Sequence, residues 1–270
     1  MCSETPKAKC PVKTFPLPGF PQDIIDEILN RLGDDSDLRS LRACALASRS
    51  WSQPSRLNLF RTVTFTSRSA DKWFRVFPVP EESPARYVRD LQVQIGWGDP
   101  VPGGFFEYVP RFTDVKGISL LGHMAPPSSL GPSSWKLPQS ITSLTINSSV
   151  FTLVQIRDVM AQLPNLDNLT LMSSFVEVDR RELRGIGTVV KGRFGGKLKL
   201  CGEYVGKEVA NMLLEIPSGL HFTEAIIHCT PECLPSAVRL AEACCKTLVK
   251  LSYPVAFSRE SPPSLNPTKG

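Results

Sequence analysis

The stretch FPQDIIDEILNRLGDDSDLRSLRACALASRSWSQPSRLNLFRTVTF, residues 20–65, carries the densest pattern in the chain. Ile24, Ile25, Ile28, Leu29 and Leu32 fall at i, i+1, i+4, i+5 and i+8, one face of an α-helix. Pro21 stands where a helix can begin and Gly33 where it can stop. Asp23, Asp26 and Glu27 lie near the positive end of that helix dipole. GDDSD reads as a loop with its own capping residues. A second helix is expected from Leu38 towards Trp51, with Leu38, Leu41, Ala45 and Ser48 on one stripe. Pro54 is expected to open a third, holding Leu57 and Phe60, and Val63 and Phe65 alternate as in a strand. Three short helices bury little area alone, so the unit needs a partner surface or the rest of the chain.

Around this stretch lie 270 residues, 41% hydrophobic and 21% charged, with 24 Pro and 8 Cys. That composition supplies a sizeable core and excludes wholesale disorder. The net charge of +5 is mild and does not by itself point to nucleic acid or a membrane. All apolar runs are short, so a spanning helix is excluded. The opening MCSETPKAKCPVK lacks the apolar middle of a secretory signal, so the cysteines read as reduced and intracellular. Residues 1–18 read as a flexible leader, 19–66 as the helical unit, 67–257 as a second domain and 258–270 as a disordered tail.

The strings FPQDIIDEILNRL, DLRSLRACALASRSW and LNLFRTVTF, in that order, resemble the F-box, in particular that of F-box proteins from mushroom-forming fungi. The resemblance covers about a sixth of the chain. Phe20 stands where Leu usually precedes the Pro, and Asp23 where Glu is common. The resemblance implies docking on a Skp-family adaptor and, through it, a cullin–RING ubiquitin ligase in the cytoplasm or nucleus. By matching positions, the implied adaptor contacts are Pro21, Ile24, Ile25, Ile28, Leu29, Leu38, Leu41 and Leu46, while Trp51 braces the unit internally. The plain alternative is that these residues are the core of a three-helix domain.

Beyond the helical unit, strand-like cores recur at Leu91–Val93, Ile118–Leu120, Leu144–Ile146, Leu169–Leu171, Leu198–Leu200, Ala225–Ile227 and Leu248–Leu251. Between first residues the spacings are 27, 26, 25, 29, 27 and 23, against about 20–29 for leucine-rich repeats. Helices are expected at Ile156–Leu163 behind a Thr152/Gln155 capping box, after Asp179/Glu182, at Val209–Ile216 and at Ala237–Cys245. Residues 67–138 read as irregular. LPNLDNLTL is similar to a leucine-rich repeat, and the other units are degenerate. The expected fold class is α+β overall: a three-helix F-box followed by an α/β leucine-rich-repeat-like solenoid. The alternative is a compact α/β domain with a parallel sheet. A solenoid would offer its strand face to an unidentified protein substrate. Thr142, Thr145, Asn147, Asn168, Thr170 and Ser173 are candidates by position only.

No motif points to an enzyme. G-x-S-x-G and H-E-x-x-H are missing, and VVKGRFGGKLKL lacks the order of a phosphate loop. His221, His228, Cys229, Cys233, Cys244 and Cys245 show no paired C-x₂-C knuckle, so no metal or other cofactor is expected. The most basic region runs through Arg180, Arg181, Arg184, Lys191, Arg193, Lys197 and Lys199. Its readings are a solvated surface, an acidic partner or RNA, with Phe194 alone a weak stacking platform. Two alternatives to the ligase reading follow: a repeat-built interaction scaffold outside any ligase, and a weakly basic RNA-binding scaffold.

Overall fold

A computed structural model describes residues 21–79, 83–95, 108–122, 136–148, 151–172, 194–201, 206–216, 219–228 and 231–254. The expected leader and tail, the Asp179/Glu182 helix, Ser173 and Cys229 lie outside the described residues. The chain divides after Leu59 into two units.

The first unit is α1 (Gln22–Asp34), α2 (Leu38–Ala47) and α3 (Arg49–Leu59). Pro21, in extended conformation, precedes α1. The helix runs through Gly33 and ends at the next residue, Asp34: Asp37 N–H donates to Leu32 O, Ser36 N–H to Gly33 O, and Ser36 takes a left-handed φ of 57°. Gly33 has a different use, because a Cβ there would meet Asn58 Oδ1 of α3 at 2.6 Å. Asp37 caps α2 by accepting from Ser40 N–H at 3.0 Å. The expected helix to Trp51 breaks at Ser48, which is extended (φ −157°, ψ 153°), and Ser48 Oγ accepts from Ser50 N–H at 3.2 Å. The third helix therefore starts at Arg49, five residues before Pro54, which sits inside it. Its core contacts are Trp51 and Leu59, while Leu57 faces solvent.

The second unit opens with β1 (Thr62–Phe65), so the strand expected at the end of the helical unit belongs to the sheet. There follow α4 (Ser67–Val76), β2 (Asp90–Ile95), β3 (Gly117–Gly122), β4 (Ser143–Ser148), α5 (Leu153–Ala161) and β5 (Asn168–Met172). The chain continues as β6 (Phe194–Cys201), α6 (Gly206–Leu214), β7 (Leu220–Ile227), α7 (Leu234–Ala243) and β8 (Lys250–Ser252). The eight strands form one all-parallel sheet in strict chain order, β1 to β8. The unit is thus mixed α/β with a parallel sheet. Each expected strand core lies on or beside one of β2 to β8.

Register follows from a repeated backbone device. Arg61 O accepts from both Arg89 and Asp90 N–H, Arg89 O from Lys116 and Gly117, Lys116 O from Thr142 and Ser143, and Thr142 O from Asp167 and Asn168, all at 2.7–2.9 Å. Side chains reinforce it: Ser140 Oγ donates to Val115 O, Asn165 Nδ2 to Gln139 O and Thr247 Oγ1 to Phe222 O, each spanning 25 or 26 residues. The strands are thereby held in step. Leu91, Ile118, Leu144, Leu169, Leu198 and Ala225 form one buried row, and Phe65, Val93, Leu120, Ile146, Leu171, Leu200 and Ile227 another. Both rows join the buried residues of α4 to α7 in one hydrophobic core.

Helix α4 occupies part of the stretch expected to be irregular. Thr66 and Ser69 make a capping box ahead of it. Ala70 is buried, and Trp73 and Phe74 pack on the core. Trp73 meets Phe65 edge-on at 5.5 Å, and Phe74 stacks on Tyr108 at 3.7 Å. The expected Thr152/Gln155 capping box is present at α5.

The step from β6 to β7 departs from the regular register at Gly196/Lys197. Gly196 has φ +67°, and a Cβ there would collide with the Asp167 carbonyl. Gly219 has φ +74° with open space around it. Alanine at Gly219 is therefore expected to cost only the left-handed penalty of about 1–2 kcal/mol. Alanine at Gly196 adds a backbone clash, for a total beyond about 3 kcal/mol. Urea denaturation of the two variants checks this; equal losses would show that the close approach to Asp167 is unimportant.

Candidate partner-binding surfaces

Two surfaces stand out, one on each unit. In the helical unit, Ile25, Leu29 and Leu41 are fully buried and are joined by the half-buried Leu32, Cys44, Trp51 and Leu59. Each full burial contributes about 2 kcal/mol, and truncating one would leave a cavity that so small a unit could ill absorb. Trp51 packs on this cluster, in the bracing position expected of it. The eight residues expected to touch an adaptor therefore divide. Ile25, Leu29 and Leu41 are buried in the unit's own core. Pro21 is exposed, and Ile24, Ile28, Leu38 and Leu46 keep 45%, 41%, 46% and 89% of their surface in solvent. Ile24 and Ile28 stand one turn apart on α1, beside rather than on the buried stripe of Ile25 and Leu29.

On the sheet, side chains alternate, so the residues between the two buried rows face the other way. This open face carries Thr64, Gln92, Ser119, Thr145, Thr170, Lys199, Ile226 and Ser252 in one register row. A second row holds Thr62, Asp90, Gly117, Ser143, Asn168, Lys197, Glu224 and Lys250. Of the positional candidates, Thr145, Asn168 and Thr170 lie on these rows and Asn147 on the next; Thr142 sits at the entrance of β4, where its carbonyl serves the backbone device. Sequence reasoning missed Gln92, Ser119 and Ser143, whose signal was their place between core residues in register. Thr64 Oγ1 donates to Gln92 Oε1 at 3.2 Å. Lys197 pairs with Glu224 at 3.2 Å. Among the described residues, Lys199 and Lys250 have no ion-pair partner.

No protein-family model matches the chain, and no curated protein matches it. The chemistry of both surfaces therefore rests on the residues themselves.

Among the described residues, no group of three or more His, Cys, Asp or Glu could hold a metal ion, and no helix is long and apolar enough to cross a membrane. Cys233 and Cys244 are part of the buried core, and burial pushes the Cys244 thiol above its ordinary value. Phe194, considered as a stacking platform, is fully buried, which removes it from any surface.

Asp90 is the acid of the open face on β2. It is half-buried beside Gly117, where an added Cβ would meet its Oδ1 at 2.5 Å. Burial raises its pKa above the ordinary carboxylate value, and the Arg61 charge pulls back against that. Folding therefore disfavours the ionised form, so this group costs stability at neutral pH. The cost disappears as pH falls through the raised folded value. Asp90→Asn is expected to raise stability at neutral pH by up to about 1 kcal/mol, discounted for solvent screening. The gain should shrink as pH falls through the folded value and vanish below the ordinary carboxylate value, by about pH 3. Denaturant midpoints at the two pH values check it; a gain that persists in acid would sink the burial account.

Proposed function

We propose that the chain is a substrate receptor of a Skp–cullin–F-box ubiquitin ligase, acting in the cytoplasm or nucleus. In this reading the helical unit is the F-box and the sheet unit is a degenerate leucine-rich-repeat solenoid that holds a target protein. The observation that carries the reading is the exposure of Ile24, Ile28, Leu38 and Leu46 on a unit with only three fully buried apolar side chains among its described residues. Exposed apolar residues concentrated on so small a helical unit fit a surface that another helical protein covers. The order of F-box-like strings in the sequence supports the same reading.

Support for the solenoid comes from topology. Strands in strict chain order, with α4 to α7 all buried into one side, are what stacked strand–helix units produce. The carbonyl device, repeated at almost constant spacing, is the backbone mark of such stacking. The other side of the sheet stays open among the described residues and suits a protein ligand. Ubiquitin transfer would belong to other subunits, with this chain holding the target near them.

The test is capture of a Skp-family adaptor by the full chain. Ile28→Asp/Leu46→Asp alters two exposed residues, so the unit should keep its helical circular dichroism. Capture should fall by more than about tenfold, because aspartate would desolvate a charge at the contact. Undiminished capture, or no capture by the wild type, would overturn the docking assignment.

A further inference from the structure

The open face is not electrostatically uniform. On β3 to β5 its residues are neutral hydrogen-bonding groups, among them Ser119, Ser143, Thr145, Asn168 and Thr170. On β6 to β8 the same rows carry Lys197, Lys199 and Lys250 against a single acid, Glu224. Glu224 is taken by Lys197, which leaves Lys199 and Lys250 as exposed cations two strands and one register row apart, roughly 12 Å at normal strand spacing and rise. The charge does not come from the chain's mild net excess spread evenly, since the only acid at the opposite end of these rows, Asp90, reverses the sign there.

We infer that the β6–β8 end of the open face binds an acidic, Asp/Glu-rich segment of a protein partner, with Lys199 and Lys250 receiving its carboxylates. The neutral rows of β3 to β5 then meet the flanking peptide's backbone and polar side chains. Two features select protein over RNA. The open-face rows hold no aromatic side chain on which a base could stack, and Phe194 of β6 is buried. They also hold no arginine, the residue suited to planar bidentate phosphate contacts, whereas lysine serves as an adaptable point charge. The inference rests on the receptor reading only in taking that partner for the ligase's target.

The probe is a fluorescein-labelled peptide of alternating Glu and Ser, about a dozen residues at roughly 3.4 Å each so that it crosses the sheet. Anisotropy is measured with the full chain at low and physiological salt. Wild type should bind, more weakly as salt rises. Lys199→Glu/Lys250→Glu should weaken binding about tenfold, as two reversed charges at a contact do. Lys207→Glu/Arg239→Glu changes net charge equally at exposed helix positions and should leave binding intact. Circular dichroism verifies folding, and Lys199→Gln/Lys250→Gln serves if the reversal misfolds, with a smaller loss expected. Equal losses in the two charge-reversal pairs, no binding by wild type, or tighter binding of poly-uridine RNA through the same lysines would each overturn the inference. Adaptor capture on the same proteins separates the two ideas: its failure with peptide binding intact defeats the ligase role alone, and the converse defeats the acidic-segment site alone.

Discussion

One hydrogen-bonding device underlies the first five strands of the sheet unit: a single carbonyl oxygen at the entrance of a strand accepts two consecutive N–H groups from the next. It satisfies backbone donors that the loop would otherwise leave unpaired. It also holds neighbouring strands in step. A slip of one residue would turn every buried leucine outward. Once the register is held, the apolar rows align against α4 to α7 and the polar rows align on the opposite face. The position of each surface residue is therefore a consequence of backbone pairing before any side chain is considered.

Where the device meets a longer connection, the chain adapts. Between β5 and β6 the Asp167 carbonyl receives Lys197 N–H, and Gly196 supplies the left-handed turn and the missing Cβ that let the carbonyl approach. The register then shifts within the β6–β7 pair, and Lys197 comes opposite Glu224. Local backbone geometry thus decides which charges on this end of the sheet are neutralised and which remain free.

The helical unit obeys a different constraint. Its core is so small that Ile25, Leu29 and Leu41 are all committed to it. The periodicity of α1 contains two adjacent stripes, Ile24/Ile28 and Ile25/Leu29, and both satisfy helical spacing. Packing of α2 and α3 against one of them makes it core and leaves the other as surface. That is why the F-box resemblance could supply a set of eight contact candidates, while their division into core and surface could not be read from spacing. Similarly, Pro54 suggested a helix start because proline suits the first turn, but the helix had already begun at Arg49, five residues earlier, behind Ser48. Helix α4 escaped notice amid Ser67, Arg68, Asp71 and Lys72, although Ala70, Trp73, Phe74 and Phe77 keep the i, i+3, i+4, i+7 spacing.

Periodicity, capping residues and the recurrence of short apolar cores were enough to place α1, α2, α5, α6, α7 and the strands β2 to β8, because these are local properties that the chain carries wherever it goes. The order of strands, the transfer of β1 to the sheet and the choice between adjacent stripes on α1 depend on contacts between residues distant in the chain. So does the gathering of Lys197, Lys199 and Lys250 beside one glutamate, since β8 joins the others only through sheet pairing. A linear pattern records which side chains are apolar or charged, and only packing decides which of them share a face.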